Sequence, residues 1–314
     1  MQNLGILRDQ NNQYIVSSFK YEKDDRDYYS STDEQNQINC IIAIKRNDYH
    51  DKNNEFPANE INILNILHNV NNTYILHFIR NGNGQLHLQD GKSINVAYLV
   101  FENANINFSL YDYIKKSGLK ERHAKLIFKK ILNGIQAIHN ANICHRDINP
   151  GNIIFDNNYN PKIFSFDFSC LNANDLQNKK CEPHFAPPEL FAEKPYNGFK
   201  YDIFSLGQLL FYLVAGRLGF NSSRKGDKSY SQIMKKNYVA YWSLFLEQNL
   251  DLSNSFKSLF LKMVAFRPEE RPSIDDILND EWMKEINNLN DGDMNILENE
   301  VSQELQNRRN NCPH

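Results

Sequence analysis

Short apolar runs of strand length dominate the first part of the chain and long helical stretches the rest, and the change falls near Phe108. Tyr14 to Tyr21 suits a first strand, and Asn39 to Lys45 is a short apolar run ending in a lysine, the pattern of a buried strand. Between them Lys23 to Gln37 is polar and charged and reads as a loop or a ragged hairpin. Glu60 to Leu67 carries Ile61, Ile63, Leu64, Ile66 and Leu67 on one broad face, which predicts a helix, and Pro57 suits its start. Ile75 to Arg80 and Asn95 to Glu102 read as strands, with Asn81-Gly82-Asn83-Gly84 and Asp90-Gly91 as turns between them. From Phe108 the helical period takes over. Arg122 to His139, with Ala124, Ile127, Ile131, Ile135, Ala137 and Ile138, predicts a long buried helix. Ile153-Ile154-Phe155 and Lys162-Ile163-Phe164 bracket a turn at Asp156 to Asn160 and predict a hairpin. Ile203 to Val214 reads as a buried helix. Leu297, Val301 and Leu305, four apart in a polar stretch, are compatible with one amphipathic helix, in a tail that is solvated or docks on its own chain rather than on a partner.

Composition narrows the function classes. A chain of 314 residues with 41% hydrophobic content can bury one large domain or two lobes. A net charge of -3 gives no global attraction to nucleic acid or to an anionic membrane. The segment Met1 to Gln13 lacks the apolar run of a signal peptide, and Gln2 does not fit N-myristoylation, so an intracellular, cytoplasmic place is expected. The five cysteines, Cys40, Cys144, Cys170, Cys181 and Cys312, form no CxxC pair and read as free thiols. The many clustered asparagines read as solvated loops.

The chemistry gathers at His145-Arg146-Asp147-Ile148-Asn149-Pro150-Gly151-Asn152. A carboxylate can orient a substrate hydroxyl while an amide five residues later reaches a metal ion on phosphates. This stretch resembles the catalytic loop of eukaryotic protein kinases. Cys181-Glu182-Pro183-His184-Phe185-Ala186-Pro187-Pro188-Glu189, Tyr201 to Gly207 and Phe266 to Ser273 resemble further motifs of that family in the family's order. The resemblance implies an α+β bilobal fold: a small antiparallel sheet with one helix over 14–102, a mainly helical lobe over 103–284, an extension at 1–13 and a polar tail at 285–314. It also implies roles. Ala43-Ile44-Lys45 matches the motif whose lysine holds the α- and β-phosphates of ATP, with Glu60 as its ion-pair partner. Phe101 would sit at the mouth of the adenine pocket, Asp147 would be the catalytic base, Asn152 a magnesium ligand, and Arg271 the partner of Glu189.

Other positions depart from the family's pattern. No glycine lies between Tyr14 and Lys45, where a phosphate-cradling loop would fall, and Ser17-Ser18-Phe19-Lys20 stands where it could begin. Ser165-Phe166-Asp167 replaces Asp-Phe-Gly, so a hydroxyl stands at the chelating position, and Asp167 lies about 6–7 Å further along an extended segment. Asn149 replaces a lysine, and Glu182 a threonine. From Cys170 to Glu189 there is no Ser, Thr or Tyr, so a phosphorylated partner for Arg146 is not expected there, and Glu182 or Asp175 would serve as a fixed acidic one. The resemblance with its departures implies a pseudokinase that binds a protein partner as scaffold or regulator, with ATP possible and magnesium doubtful. The alternatives are an active Ser/Thr protein kinase in which Asp167 supplies an atypical metal site, and a structural component of a larger assembly.

Overall fold

Six strands close into a barrel at the start of the chain because their inward side chains are apolar and their edges find partners. The computed structural model describes residues 3–23, 26–45, 56–115, 117–172, 182–192, 195–246, 250 and 252–311. The chain forms two compact units, Met1–Ser109 with Ile154–Asp167, and Leu110–Ile153 with Phe168–His314.

The first unit holds β1 (Asn3–Arg8), β2 (Gln13–Lys23), β3 (Arg26–Asp33), β4 (Ile38–Lys45), α1 (Ala58–His68), β5 (Phe78–Leu88), β6 (Ser93–Phe101) and β7 (Asn105–Ser109). The barrel order is β1-β2-β3-β4-β6-β5, all antiparallel. Leu7, Val16, Cys40, Ile42, Ile44, Leu86, Val96 and Val100 fill it. The Tyr14 hydroxyl accepts from Arg80 Nε at 2.6 Å, and the Tyr98 hydroxyl donates to Asp9.

Three expectations change here. The 1–13 stretch is not a loose extension, because β1 pairs with both β2 and β5 and so closes the barrel. For Lys23 to Gln37 the hairpin reading holds over the loop, since it contains a full strand, β3, paired antiparallel with β2, and Ser17 to Lys20 lies within β2 with a register shift between Val16 and Lys20. Asn81 to Gly84 is no turn; it runs through β5. A Cβ on Gly82 would lie 2.7 Å from the Tyr98 hydroxyl, and one on Gly84 2.5 Å from the Arg8 carbonyl oxygen. These glycines admit a close neighbour instead of a bend. The Asp90-Gly91 turn holds, with Gly91 at φ 84.

The hairpin of β9 (Ile153–Phe155) and β10 (Pro161–Ile163) adds to β7 in a second sheet. Its residues from Ile154 onward belong with the first unit, not with the helical part expected from 103. Backbone pairing explains this: Ile163 N donates to Tyr74 O at 2.8 Å, and Leu76 N to Ile163 O at 2.9 Å.

The second unit holds α2 (Leu110–Ile114), α3 (Glu121–Asn140), β8 (Ile143–Cys144), β11 (Cys170–Leu171), α4 (Gly198–Ala215), α5 (Lys228–Met234), α6 (Tyr238–Ser243), α7 (Asn254–Met263), α8 (Ile274–Leu278), α9 (Lys284–Asn287) and α10 (Asp291–Asn310). Helix α4 is apolar nearly all round and lies at the centre, started by the Asn197 side chain and stopped by Gly216 at φ 67. Its one buried amide, Gln208, donates to the His184 and Phe220 carbonyls at 3.0 and 2.9 Å. Helix α10 docks on its own unit, one of the two alternatives for the tail. Leu297, Val301 and Leu305 are buried, and Arg308 donates to the carbonyls of Tyr113, Ser117 and Gly118 at 3.1, 2.7 and 2.8 Å. None of the described helices is long and apolar enough to cross a membrane.

Candidate functional site

In the first unit the site residues sit where the buried run of β4 ends. Ala43 is fully buried, and Lys45 is 9% exposed at the strand's last position. Phe101 closes β6, paired with Ile41, and is buried. Glu60 projects from the first turn of α1 and is 2% exposed. The structure gives it a forked guanidinium: Arg26 Nη1 and Nη2 reach its two oxygens at 2.6 and 3.2 Å. Arg26 is the cross-strand partner of Lys45 on β3, and its guanidinium lies 4.9 Å from the Phe56 ring centre.

Arg26 also pairs with Asp167, whose other oxygen accepts from Ser165 Oγ at 2.7 Å. Burial disfavours the charge on Arg26, but Tyr28, Asp167 and Glu60 more than offset it, so its pKa is raised and it stays a cation. Ser165 holds a left-handed φ of 67, and Phe166 is buried beside it. One cation therefore binds two carboxylates that lie 107 residues apart in sequence (60 and 167). Sequence reasoning missed Arg26 among its acidic neighbours. Its signal was register: it stands directly opposite Lys45 on the next strand.

In the second unit the catalytic-loop stretch is braced by one buried carboxylate. Asp202, on α4, accepts from the backbone N of His145 and of Arg146, both at 2.8 Å, and lies 2.8 Å from His139 Nε2. These bonds hold Arg146 at φ 64, a conformation that costs a non-glycine residue energy. Asp147 then receives two amides. Asn149 Nδ2 donates to Oδ1 at 3.0 Å; Asn152 Nδ2 donates to Oδ2 and, at 2.7 Å, to the Asp147 carbonyl. Asn149, where the family carries lysine, thus orients the carboxylate, and its own oxygen accepts from Gly151 N at 2.8 Å.

Arg146 donates to the Phe168 carbonyl at 3.1 Å and lies 5.7 Å from the Tyr196 ring centre. Of its two expected acidic partners, Asp175 lies outside the described residues, and Glu182 uses its carbonyl to turn the chain at Phe185. Arg271 and Glu189 pair as expected, through two bonds of 2.6 and 2.7 Å.

Magnesium needs several oxygen ligands, carboxylates among them. Asn152 Oδ1 fits that need, being buried with no hydrogen-bond partner in the structure. Asp167 does not, because both its oxygens are engaged, and Ser165 brings no charge. No cluster of three His, Cys, Asp or Glu able to hold a metal occurs among the described residues.

Comparison with known proteins agrees with the geometry. The family model described as Protein kinase domain matches residues 29–283. The probable serine/threonine-protein kinase HSL1 of Saccharomyces cerevisiae is 34% identical over 196 residues, which is 61% of this chain and 12% of that protein. The probable serine/threonine-protein kinase KCC4 of the same yeast is 32% identical over 200 residues, 63% of this chain and 19% of its own length. Sperm motility kinase Z of Mus musculus is 31% identical over 194 residues, 60% of this chain and 36% of that one. The chain thus spans well under half the length of these relatives.

Proposed function

The chain belongs to the protein kinase family, and on that premise we propose that it is a pseudokinase: a kinase-fold scaffold or allosteric regulator that works through a protein partner and transfers phosphate weakly or not at all. Domains of this family bind ATP and magnesium. Transfer of a phosphoryl group rests on positioning and on neutralising charge, so each missing cation removes a term directly. The observation that carries the reading is the Arg26–Asp167–Ser165 arrangement. It engages the only carboxylate in Ser165-Phe166-Asp167 with a fixed protein cation. The absent lysine at Asn149 and the absence of glycine between Tyr14 and Lys45 point the same way. ATP remains the expected nucleotide, with Lys45 as its phosphate contact. The test is phosphoryl transfer to a generic acceptor protein with ATP and magnesium. The reading expects no turnover above that of the Asp147→Asn variant, and robust turnover abolished by Asp147→Asn would end it.

One observation favours a second reading, an active Ser/Thr kinase with an atypical metal site. Asp147 is held by two amides and Asn152 Oδ1 stands open, as a working loop would need. On this reading Asp167→Ala abolishes activity and Ser165→Ala does not.

A further inference from the structure

Two cysteines 26 residues apart in sequence meet beside the catalytic-loop stretch. Cys144 ends β8, next to His145, and Cys170 opens β11; the two are direct cross-strand partners in an antiparallel pair. Their sulfurs lie 3.1 Å apart. Directly opposed antiparallel residues have Cα atoms about 4.5–5.5 Å apart, within the span of about 4.4–6.8 Å that a disulfide bridges. Closing the gap to a bond therefore needs side-chain rotation and no movement of strands.

The two thiols are unlike. Cys144 is fully buried, while Cys170 is partly exposed. The hydrogen bond from Cys144 lowers the Cys170 thiol to about 7; burial opposes this, and the Arg146 guanidinium adds to it by charge and by a hydrogen bond. The same hydrogen bond and burial push the Cys144 thiol up. One sulfur thus belongs to a partly exposed residue beside a cation that favours its thiolate, and the other is a buried thiol in contact with it.

We propose that Cys170 is an oxidisable modification site and Cys144 its resolving thiol, so that a hydroperoxide converts the pair to an intramolecular disulfide across β8 and β11. The Cys170 thiolate attacks one peroxide oxygen. The O–O bond breaks, the leaving oxygen takes a proton and departs as water or alcohol, and the sulfur is oxidised to a sulfenic acid. The Cys144 sulfur then attacks that sulfur. The S–O bond breaks, and hydroxide leaves as water with the Cys144 proton. Two thiols and one hydroperoxide give one disulfide, one water and one further water or alcohol. The bond joins the residue before His145 to the start of the segment that leads to Glu189, and it removes the thiolate that faces Arg146.

The experiment uses the reduced full chain and hydrogen peroxide, followed by alkylation and peptide mapping by mass spectrometry. The expected result is an intact mass lower by two hydrogen atoms, with Cys144 and Cys170 in one linked peptide pair that dithiothreitol releases. In Cys144→Ser the link is lost and dimedone labels Cys170. In the untreated protein, alkylation of Cys170 rises with pH around a midpoint of about 7. Absence of the linked pair from folded, peroxide-treated wild-type protein would overturn the proposal. So would linkage of Cys170 to Cys181 or Cys312 instead. The wild-type peptide map decides even if Cys144→Ser fails to fold.

Discussion

Arg26→Met isolates the guanidinium that joins Glu60 to Asp167. Methionine keeps much of the aliphatic volume against Phe56 and removes the charge. The structure sets the size of the effect. Glu60 and Arg26 side chains are 2% and 3% exposed, and that of Asp167 is 15% exposed, so solvent cannot replace the lost partner. Breaking a buried ion pair from one side costs about 3–5 kcal/mol, because the buried carboxylates lose the guanidinium charge that offset their desolvation. An exposed pair would cost at most about 1 kcal/mol. In urea, where the free energy falls by roughly 1–3 kcal/mol per molar, the midpoint of the first unit should drop by about 1 M or more. Adding Glu60→Gln should recover part of the loss, since it removes one of the charges that Arg26→Met deprives of the guanidinium; a coupling of about 1–3 kcal/mol is expected. Denaturation followed by circular dichroism on wild type, both single variants and the double variant gives all four values. A loss under about 1 kcal/mol for Arg26→Met, or additive single effects, would refute the argument that this cation organises the first unit.

Leu305→Ala should destabilise the second unit by about 2–5 kcal/mol, because Leu305 is fully buried where α10 docks; a thermal or urea melt measures it. Gly84→Ala should cost about 1–3 kcal/mol by pushing its Cβ against the Arg8 carbonyl, and hydrogen exchange should speed up selectively in Asn3–Arg8. Glu304 carries a pH signature. Burial alone would raise its pKa from 4.5, but hydrogen bonds from His123 and Arg308 outweigh burial and lower it. A depressed folded pKa means that stability is fully present above the unfolded pKa of about 4.3 and is lost as pH falls through the lower folded value. Glu304→Gln should flatten that acid limb of a stability-against-pH curve and leave the curve shape at neutral pH unchanged.

The helices and the motif order were legible because long apolar faces repeat reliably: α1, α3, α4 and α10 lie where Glu60 to Leu67, Arg122 to His139, Ile203 to Val214 and the Leu297-Val301-Leu305 series put them. The Glu189–Arg271 pair also followed from motif positions alone. The barrel was harder. Its closure depends on which strands become neighbours, and β1 is too short and mixed in character to stand out before β2 and β5 flank it. Gly82 and Gly84 misled because glycine marks close approach as readily as a turn. Lys45, Glu60, Asp147 and Asn152 could be named from the family resemblance, but the Arg26–Glu60 contact depends on the cross-strand register of Arg26 with Lys45, a property of β3–β4 pairing that no single-strand pattern carries. The Cys144–Cys170 contact hid for the same reason, since two two-residue strands leave no periodic trace.

The central claim is that a fixed arginine engages Asp167, the carboxylate that the alternative reading offers to a metal. Its most direct test is a thermal-shift titration of the full chain with ATP, with and without magnesium. Ligand that binds only the folded state raises the melting temperature, by an amount equivalent to about 2.7 kcal/mol at a hundred times Kd. The account predicts that any ATP-dependent rise is the same with magnesium as without it. A rise that requires magnesium, and that Asp167→Ala removes, would contradict it.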